Sequence, residues 1–104
     1  MTLPTDSKLR KLVPLATGCI DYFPDALSAI AELSRIGNDK HNPGQPVHWS
    51  RGKSDDHADC LMRHFLERGT IDNSGAEPVR HSAQMAWRAL AILQLEIEAA
   101  SQNE

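Results

Sequence analysis

The segment from residue 78 to about residue 100 constrains the fold most, because its apolar residues recur at helical spacing on two sides. One row alternates steps of four and three residues, as a heptad repeat does. This row consists of Val79, Ala83, Ala86, Leu90, Leu93 and Ile97. A second row widens the apolar surface and consists of Met85, Ala89, Ile92 and Leu95. We expect a helix with such a surface to pack inside its own chain and also against another subunit.

Two further helices are predicted upstream of this segment. The first covers residues 24–36, since proline is favoured at the first helical position and Gly37 provides a stop signal. The second covers residues 55–68, with Ser54 as N-cap and Gly69 as C-terminal cap. Sustained alternation of apolar and polar residues, the mark of strands, is missing from the sequence, so the predicted fold is an all-α helical bundle.

The whole chain, residues 1–104, is predicted to form a single domain, with residues 1–22 as an irregular arm that has a short helical turn near residues 8–13. A formal net charge of −3 argues against a nucleic-acid polymer as partner. The sequence has no apolar run of the length of a membrane span or signal peptide, so we expect neither. Cys19 and Cys60 form no metal or redox motif. We therefore expect a cytoplasmic protein, with Cys60 as a small buried residue.

Three carboxylates from the first two predicted helices are candidate metal ligands. Asp56 and Asp59 lie three residues apart and therefore share a helical face. Glu32 can meet them if these two helices pack antiparallel, and Mg²⁺ and Mn²⁺ prefer such oxygen ligands. The alternative is structural: Asp56 stabilises a helix N-terminus, while Glu32 and Asp59 form surface ion pairs with Arg35 and Arg63.

The connection between these helices, residues 38–53, is long for a small bundle, and loops of this length are often functional. Its side chains include Asn38, Trp49, Arg51 and Lys53. The tryptophan can stack on a nucleobase or fill space under the loop, and the two basic side chains can neutralise phosphates. In the third predicted helix, His81 and Arg88 lie seven residues apart on a polar strip that faces either a ligand pocket or solvent.

The connection and the helices beyond it resemble the dATP/dGTP diphosphohydrolases of phages and prophages. The similarity is strongest in residues 37–54, GNDKHNPGQPVHWSRGKS, and continues through Asp56 and Asp59 to the AWRALA segment at residues 86–91. It also includes Arg63-His64, Gly69-Thr70 and Arg80-His81-Ser82-Ala83. In all, the resemblance covers roughly residues 22–98.

These proteins belong with the MazG-like, all-α nucleotide pyrophosphohydrolases, which include the MazZ-type enzymes of phages. The resemblance implies Mg²⁺- or Mn²⁺-dependent cleavage between the α- and β-phosphates of a deoxynucleoside triphosphate such as dGTP or dATP. The products would be the monophosphate and pyrophosphate. Members of the wider family are usually homodimers or homotetramers with sites close to subunit contacts. The resemblance therefore implies a helical bundle completed by oligomerisation, located in the host cytoplasm if the protein is phage-encoded.

The wider family carries its metal ligands in an EExxE motif on one helix and an ExxD motif on the next. Here Asp56 and Asp59 take the place of ExxD, and Glu32 matches the last acid of EExxE. Ser28 and Ala29 stand where that motif has its paired glutamates. Either fewer ions bind or another acid compensates for the missing ligand. The candidates for such an acid are Asp39 and Asp55.

The resemblance implies a role for each candidate residue. The catalytic acids and metal ligands would be Glu32, Asp56 and Asp59. Contacts to the phosphates would come from Lys53, Arg51 and Arg88, and contacts to the base or sugar from Asn38, Trp49 and His81. The alternative is a non-catalytic helical dimerisation or interaction module of phage origin. It accounts for the heptad-like row but leaves the composition of the connection unexplained.

Overall fold

The structure, a computed structural model, describes residues 3–102; residues 1–2 and 103–104, which the predicted domain includes, lie outside this range. The elements in chain order are α1 (Ser7–Arg10), a π-helical turn (Ala16–Ile20), α2 (Pro24–His41), α3 (His57–Leu66), β1 (Ile71–Asp72), β2 (Val79–Arg80) and α4 (His81–Gln102). The strands pair antiparallel, with Ile71 opposite Arg80 and Asp72 opposite Val79. Because each described strand has only two residues, the predicted all-α class is confirmed.

Helix α2 continues five residues beyond the predicted end at residue 36, through Gly37 to His41. A glycine inside a helix costs only about 1 kcal/mol relative to alanine, so it does not have to stop one. The helix ends instead where Asn42 precedes Pro43, since the helical conformation is disfavoured for a residue before proline. Asn42 has φ −136° and ψ 58° accordingly. This longer helix carries Asn38, which was predicted to lie in a loop.

Helix α3 begins at His57, two residues later than predicted. The residue at its N-cap position is Asp56 and not Ser54. The Asp56 carbonyl oxygen accepts the first intrahelical bond, from the Cys60 N–H at 2.9 Å. The Cys60 thiol also donates to the Asp56 carboxylate at 3.3 Å. Cys60 is buried, as predicted, and it holds this carboxylate against the first turn of the helix.

The chain reverses between α3 and α4 through a turn and the short strand pair. Gly69 has φ 84°, a left-handed conformation that glycine adopts at little cost, three residues beyond the end of α3. Helix α4 begins at His81 and not near residue 78, because Val79 and Arg80 pair with β1. Within residues 3–102, every helix is too short or too polar to cross a membrane.

Helix α4 is the centre of the packing. Helix α3 makes the most extensive contact with it, and α2 packs against it as well, whereas α2 and α3 make little direct contact with each other. The indole N–H of Trp87 on α4 donates to the Ser34 hydroxyl on α2 at 3.1 Å. The two upstream helices are therefore joined through α4 and not through a shared interface.

The apolar core of the described chain is small. Its buried apolar residues are Cys60 and Ala91, while Leu90 and Leu93 of the predicted heptad-like row are 46% and 52% exposed. The Cα radius of gyration is 15.6 Å, whereas a compact domain of this length has about 13 Å. A single chain therefore leaves much of its apolar surface uncovered.

Candidate functional site

Helix α2, the connection after it and α4 surround a cleft of about 940 Å³. Small-molecule sites are of this order, roughly 300–1,000 Å³. Four of the six predicted substrate-binding residues line the cleft: Asn38, Trp49, Lys53 and Arg88. They come from three different elements, so the structure brings together side chains that are up to 50 residues apart in sequence.

Two tryptophans form an aromatic wall in the cleft. Trp49 from the connection meets Trp87 from α4 edge to face, with ring centroids 5.7 Å apart and an interplanar angle of 75°. Such an arrangement is favourable for two aromatic rings. Trp49 is neither fully exposed nor buried, so it contributes to the wall of the cleft and does not act only as a plug under the loop.

Arg51 is engaged with its own neighbours. Its guanidinium lies 4.4 Å from the centre of the Trp49 ring and donates to both carboxylate oxygens of Glu98, the shortest contact being 2.8 Å. This pairing lowers the pKa of Glu98 to about 2, with a further contribution from Gln94. Arg51 is not among the cleft-lining residues of the described chain. Its contacts hold Trp49 against α4.

Two polar side chains of the cleft are almost fully buried. Asn38 is 5% exposed and donates its side-chain N–H to the Gln45 carbonyl oxygen at 2.8 Å, which ties the connection to α2. His57 is 7% exposed, and its Nδ1 lies 2.9 Å from a terminal nitrogen of Arg88. Because a guanidinium can only donate, Nδ1 of His57 is the acceptor and its proton is on Nε2.

The charges that line the cleft leave it locally positive, although the chain as a whole is acidic. Lys40 and Lys53 line it and form no ion pair within residues 3–102. The acids of the lining are already engaged: Glu77 pairs with Arg35 at 2.9 Å, and Asp72 accepts hydrogen bonds from Ser74 and Gln84. These bonds hold the pKa values of both carboxyls below their usual range.

The predicted metal ligands lie in separate places. Glu32 lines a small pocket of about 110 Å³ beside β2, with a carboxylate oxygen 3.7 Å from Arg35. The Asp56 carboxylate accepts a hydrogen bond from the Cys60 thiol, which lowers the pKa of Asp56. The same carboxylate lies 3.6 Å from the guanidinium of Arg63. Asp59 is exposed on α3.

Within one chain, these three acids are not placed to bind a single divalent cation. Within residues 3–102, no group of three or more His, Cys, Asp and Glu side chains is placed to hold a metal ion. The physical reason is the packing described above: the predicted convergence required α2 and α3 to lie against each other, and each packs on α4 instead. The additional candidate Asp39 is paired with Arg35 at 3.1 Å. The ligand assignment of Glu32, Asp56 and Asp59 therefore stays a prediction.

The remaining predicted substrate residue, His81, is outside the described lining of the cleft. Its Nδ1 lies 2.9 Å from Nδ1 of His64, and its Nε2 lies 3.2 Å from the carboxylate of Glu67. This hydrogen bond between the two imidazoles spans the contact between α3 and the start of α4. The two residues of the predicted polar strip thus have different partners: His81 contacts His64 and Glu67, and Arg88 contacts His57.

We expect acid to weaken the fold through this histidine pair. Burial and the neighbouring His81 lower the pKa of His64. The unfolded chain then binds a proton at a higher pH than the folded one, so stability is complete above the ordinary histidine pKa of about 6.5 and decreases as the pH falls below it. Urea unfolding between about pH 7 and 5.5, where carboxylates remain ionised, measures this slope.

His64→Gln is the matched variant for this prediction, because glutamine keeps a hydrogen bond to His81 but does not titrate. Its free energy of unfolding should change less over the same pH interval than that of the wild type. Equal slopes for the two proteins would remove His64 as the source of the acid sensitivity.

A family model described as dATP/dGTP diphosphohydrolase, N-terminal, matches residues 6–104. The chain belongs to this family. The match is wider than the resemblance over residues 22–98, since it also includes α1. No curated protein and no solved structure matches the chain.

In this member of the dATP/dGTP diphosphohydrolase family, the cleft also includes Lys40, His57 and Trp87, which sequence reasoning did not predict as site residues. Trp87 had a usable signal, because it is one of two tryptophans and directly precedes Arg88. Lys40 was assigned to a loop because α2 was predicted to end too early. His57 had no signal, since its partner Arg88 is 31 residues away in sequence.

Proposed function

We propose that the chain provides the nucleotide-binding site of a deoxynucleoside triphosphate pyrophosphohydrolase that acts on dGTP or dATP. The reaction adds water to the α-phosphorus and breaks the bond between that atom and the bridging oxygen, which leaves with the β- and γ-phosphates. The products are the deoxynucleoside monophosphate and pyrophosphate. Such an enzyme would act in the cytoplasm.

The observation that carries this proposal is the combination, in one cleft, of an aromatic wall and two lysines that form no ion pair with the described residues. A nucleobase needs an apolar, planar surface, and a triphosphate needs positive charge within a few ångströms. The cleft offers the first in Trp49 and Trp87 and the second in Lys40 and Lys53. The family to which the chain belongs is described by the same two purine nucleotides.

We assign Lys53 and Lys40 to the phosphates and Trp49 to the base. Arg51 is proposed to position Trp49, because its charge is already balanced by Glu98. Arg88, whose guanidinium donates to His57, is proposed to position that side chain and to add positive charge to the cleft. His81 is left outside this set, since its described contacts are to His64 and Glu67.

Mg²⁺ or Mn²⁺ is part of the proposal, with Glu32, Asp56 and Asp59 as ligands. Because one chain separates these acids, the proposal requires that copies of the chain associate as a homodimer or homotetramer and bring acids of different copies together. The exposed leucines of α4 offer an apolar surface for that association. When bound, the ion would offset charge on the triphosphate.

The test is pyrophosphate release from a panel of deoxynucleoside triphosphates with each metal. We expect turnover of dGTP or dATP, and we expect Asp59→Asn to lower it by at least on the order of 100-fold, the upper end for disturbing a metal's surroundings. Asp21→Asn is the matched control, because Asp21 is an exposed acid of the N-terminal arm. Unchanged turnover in Asp59→Asn would remove this acid from the reaction.

Mixing two inactive variants tests where the acids meet. In a twofold dimer with shared sites, Glu32→Gln and Asp59→Asn chains together regain about a quarter of the wild-type activity, because half the dimers are mixed and each mixed dimer has one intact site. If all three acids served a site within one chain, mixing would restore nothing.

The alternative, a non-catalytic interaction module, is favoured by two observations: the acids of one chain do not converge, and Leu90 and Leu93 are half exposed. The same assay separates the two functions. An interaction module self-associates but releases no pyrophosphate from any member of the panel.

A further inference from the structure

Helix α3 has a second apolar side that the rest of the described chain leaves uncovered. Its inward side is marked by His57 and His64, since both contact side chains of α4. Ala58, Met62 and Leu66 follow one another at intervals of four residues and face away from that side, because a helix turns about 100° per residue. All three are exposed: Met62 is 54% exposed and Leu66 is 79% exposed. We call these three residues the outer stripe of α3.

The outer stripe is separate from the exposed leucines of α4. Leu90 and Leu93 line the cleft, whereas the outer stripe does not. Leu66 is also the most exposed large apolar side chain of the described residues. Apolar residues that lie together on one exposed face mark a contact with a partner more often than single exposed ones do.

The total surface of the chain is large enough to require such a contact. The accessible surface is 7922 Å². A monomeric protein of this mass, 11.5 kDa, exposes about 5,800 Å², so the chain exposes roughly 2,100 Å² more than expected. An interface of standard size buries about 800 Å² of each partner. The excess is therefore sufficient for one interface at the outer stripe and another at the α4 leucines.

We propose that the outer stripe packs against the outer stripe of a second copy of the chain, with the two α3 helices antiparallel. The spacing of the stripe supports this arrangement, because Ala58 and Leu66 lie equally far from Met62. A twofold axis at Met62 places this side chain against Met62 of the second copy, and each Ala58 opposite a Leu66. A small residue then meets a large one, and rows spaced by four residues interdigitate.

The charges of α3 also match those of an antiparallel second copy. The start of the helix is acidic, with Asp56 and Asp59, and its end is basic, with Arg63 and Arg68. The acid near that end, Glu67, already contacts a histidine of its own chain. Asp59 and Arg68 form no ion pair within residues 3–102. Antiparallel packing brings the acidic start of each α3 to the basic end of the other, whereas parallel packing brings like charges together.

Substitutions of Leu66 test both the surface and the direction of packing. We expect the wild type to be associated at about 10 μM, since interfaces of standard size bind with micromolar or higher affinity. Leu66→Glu should raise the dissociation constant of one association step by on the order of 100-fold, because the new charge faces the acidic start of the other α3. Leu66→Lys loses the same apolar surface but faces an opposite charge, so it should raise the constant by only about tenfold.

Leu12→Glu is the matched control, because Leu12 is 75% exposed and the substitution changes the net charge equally. It should leave the dissociation constant unchanged. Sedimentation velocity over a range of concentrations measures each constant, and circular dichroism checks that each variant is folded. Both leucines are more than two-thirds exposed, so neither substitution should disturb the folded chain.

A disulfide at the twofold axis provides a second readout. Met62→Cys places one thiol of each copy at the axis, so oxidation should join more than about half of the chains into covalent dimers. Leu12→Cys should yield few under the same conditions. Both variants carry Cys19→Ser to remove the less buried native thiol, and Cys60 stays in place because it is buried. Gel electrophoresis with and without reductant measures the yield.

A wild type that stays monomeric at concentrations well above 10 μM would overturn this pairing. Equal effects of Leu66→Glu and Leu12→Glu, or equal disulfide yields at Met62 and Leu12, would also overturn it. A larger effect of Leu66→Lys than of Leu66→Glu would exclude the antiparallel direction. The pairing does not depend on the proposed reaction: association through α3 without pyrophosphate release would keep the first and exclude the second. Pyrophosphate release by an assembly that Leu66→Glu leaves intact would do the reverse.

Discussion

Trp87→Ala is expected to lower the free energy of unfolding by about 2–4 kcal/mol, within or just below the range for truncating a large aromatic side chain. Trp87 is the residue at which the separate parts of the chain meet. Its indole N–H binds Ser34 on α2, and its ring contacts Trp49 of the connection and His57 of α3. Since the described core is small, few other contacts can compensate.

Urea unfolding followed by circular dichroism measures this loss. Trp87→Phe keeps an aromatic ring but loses the N–H, so it should cost only about 1 kcal/mol. Leu12→Ala is a control on the N-terminal arm, where Leu12 is 75% exposed, and it should change stability by less than about 0.5 kcal/mol. If Trp87→Ala proved as mild as Leu12→Ala, α4 would not be joined to α2 and the connection through this side chain.

Lys53→Glu is expected to weaken triphosphate binding by on the order of 100-fold at low salt, because it replaces an attraction with a repulsion close to the phosphates. Lys53 lines the cleft and is free of ion pairs within the described chain. The effect should shrink as salt is added, since Lys53 is exposed and the charges are screened. Binding of deoxyguanosine, which has no phosphate, should stay as it is.

Lys8→Glu makes the same change of charge on α1, away from the cleft, and serves as the matched control. Calorimetric titration of each variant with dGTP and with deoxyguanosine gives four affinities to compare with those of the wild type. A similar loss in Lys8→Glu would indicate a general effect of net charge. A loss of deoxyguanosine binding in Lys53→Glu would show that the substitution damages the cleft itself.

The sequence was sufficient to predict the main helices and several of the residues that line the cleft. Local spacing predicted three main helices and the all-α class, and the composition of the connection indicated Trp49 and Lys53. Errors at the ends of helices came from reading single residues as signals. Gly37 predicts a stop, yet the helix ends before Pro43, and the predicted third helix includes Val79 and Arg80, although these two residues pair with β1.

The sequence by itself determined which segments become helices and that α4 carries more apolar surface than one chain covers. Those properties depend on neighbours within about one or two helical turns. The tertiary structure alone decided that α2 and α3 pack on α4, which separates Glu32 from Asp56 and buries Asn38 and His57 with unpaired atoms. These outcomes depend on contacts such as that between His57 and Arg88, which are distant in sequence, so no local pattern encodes them.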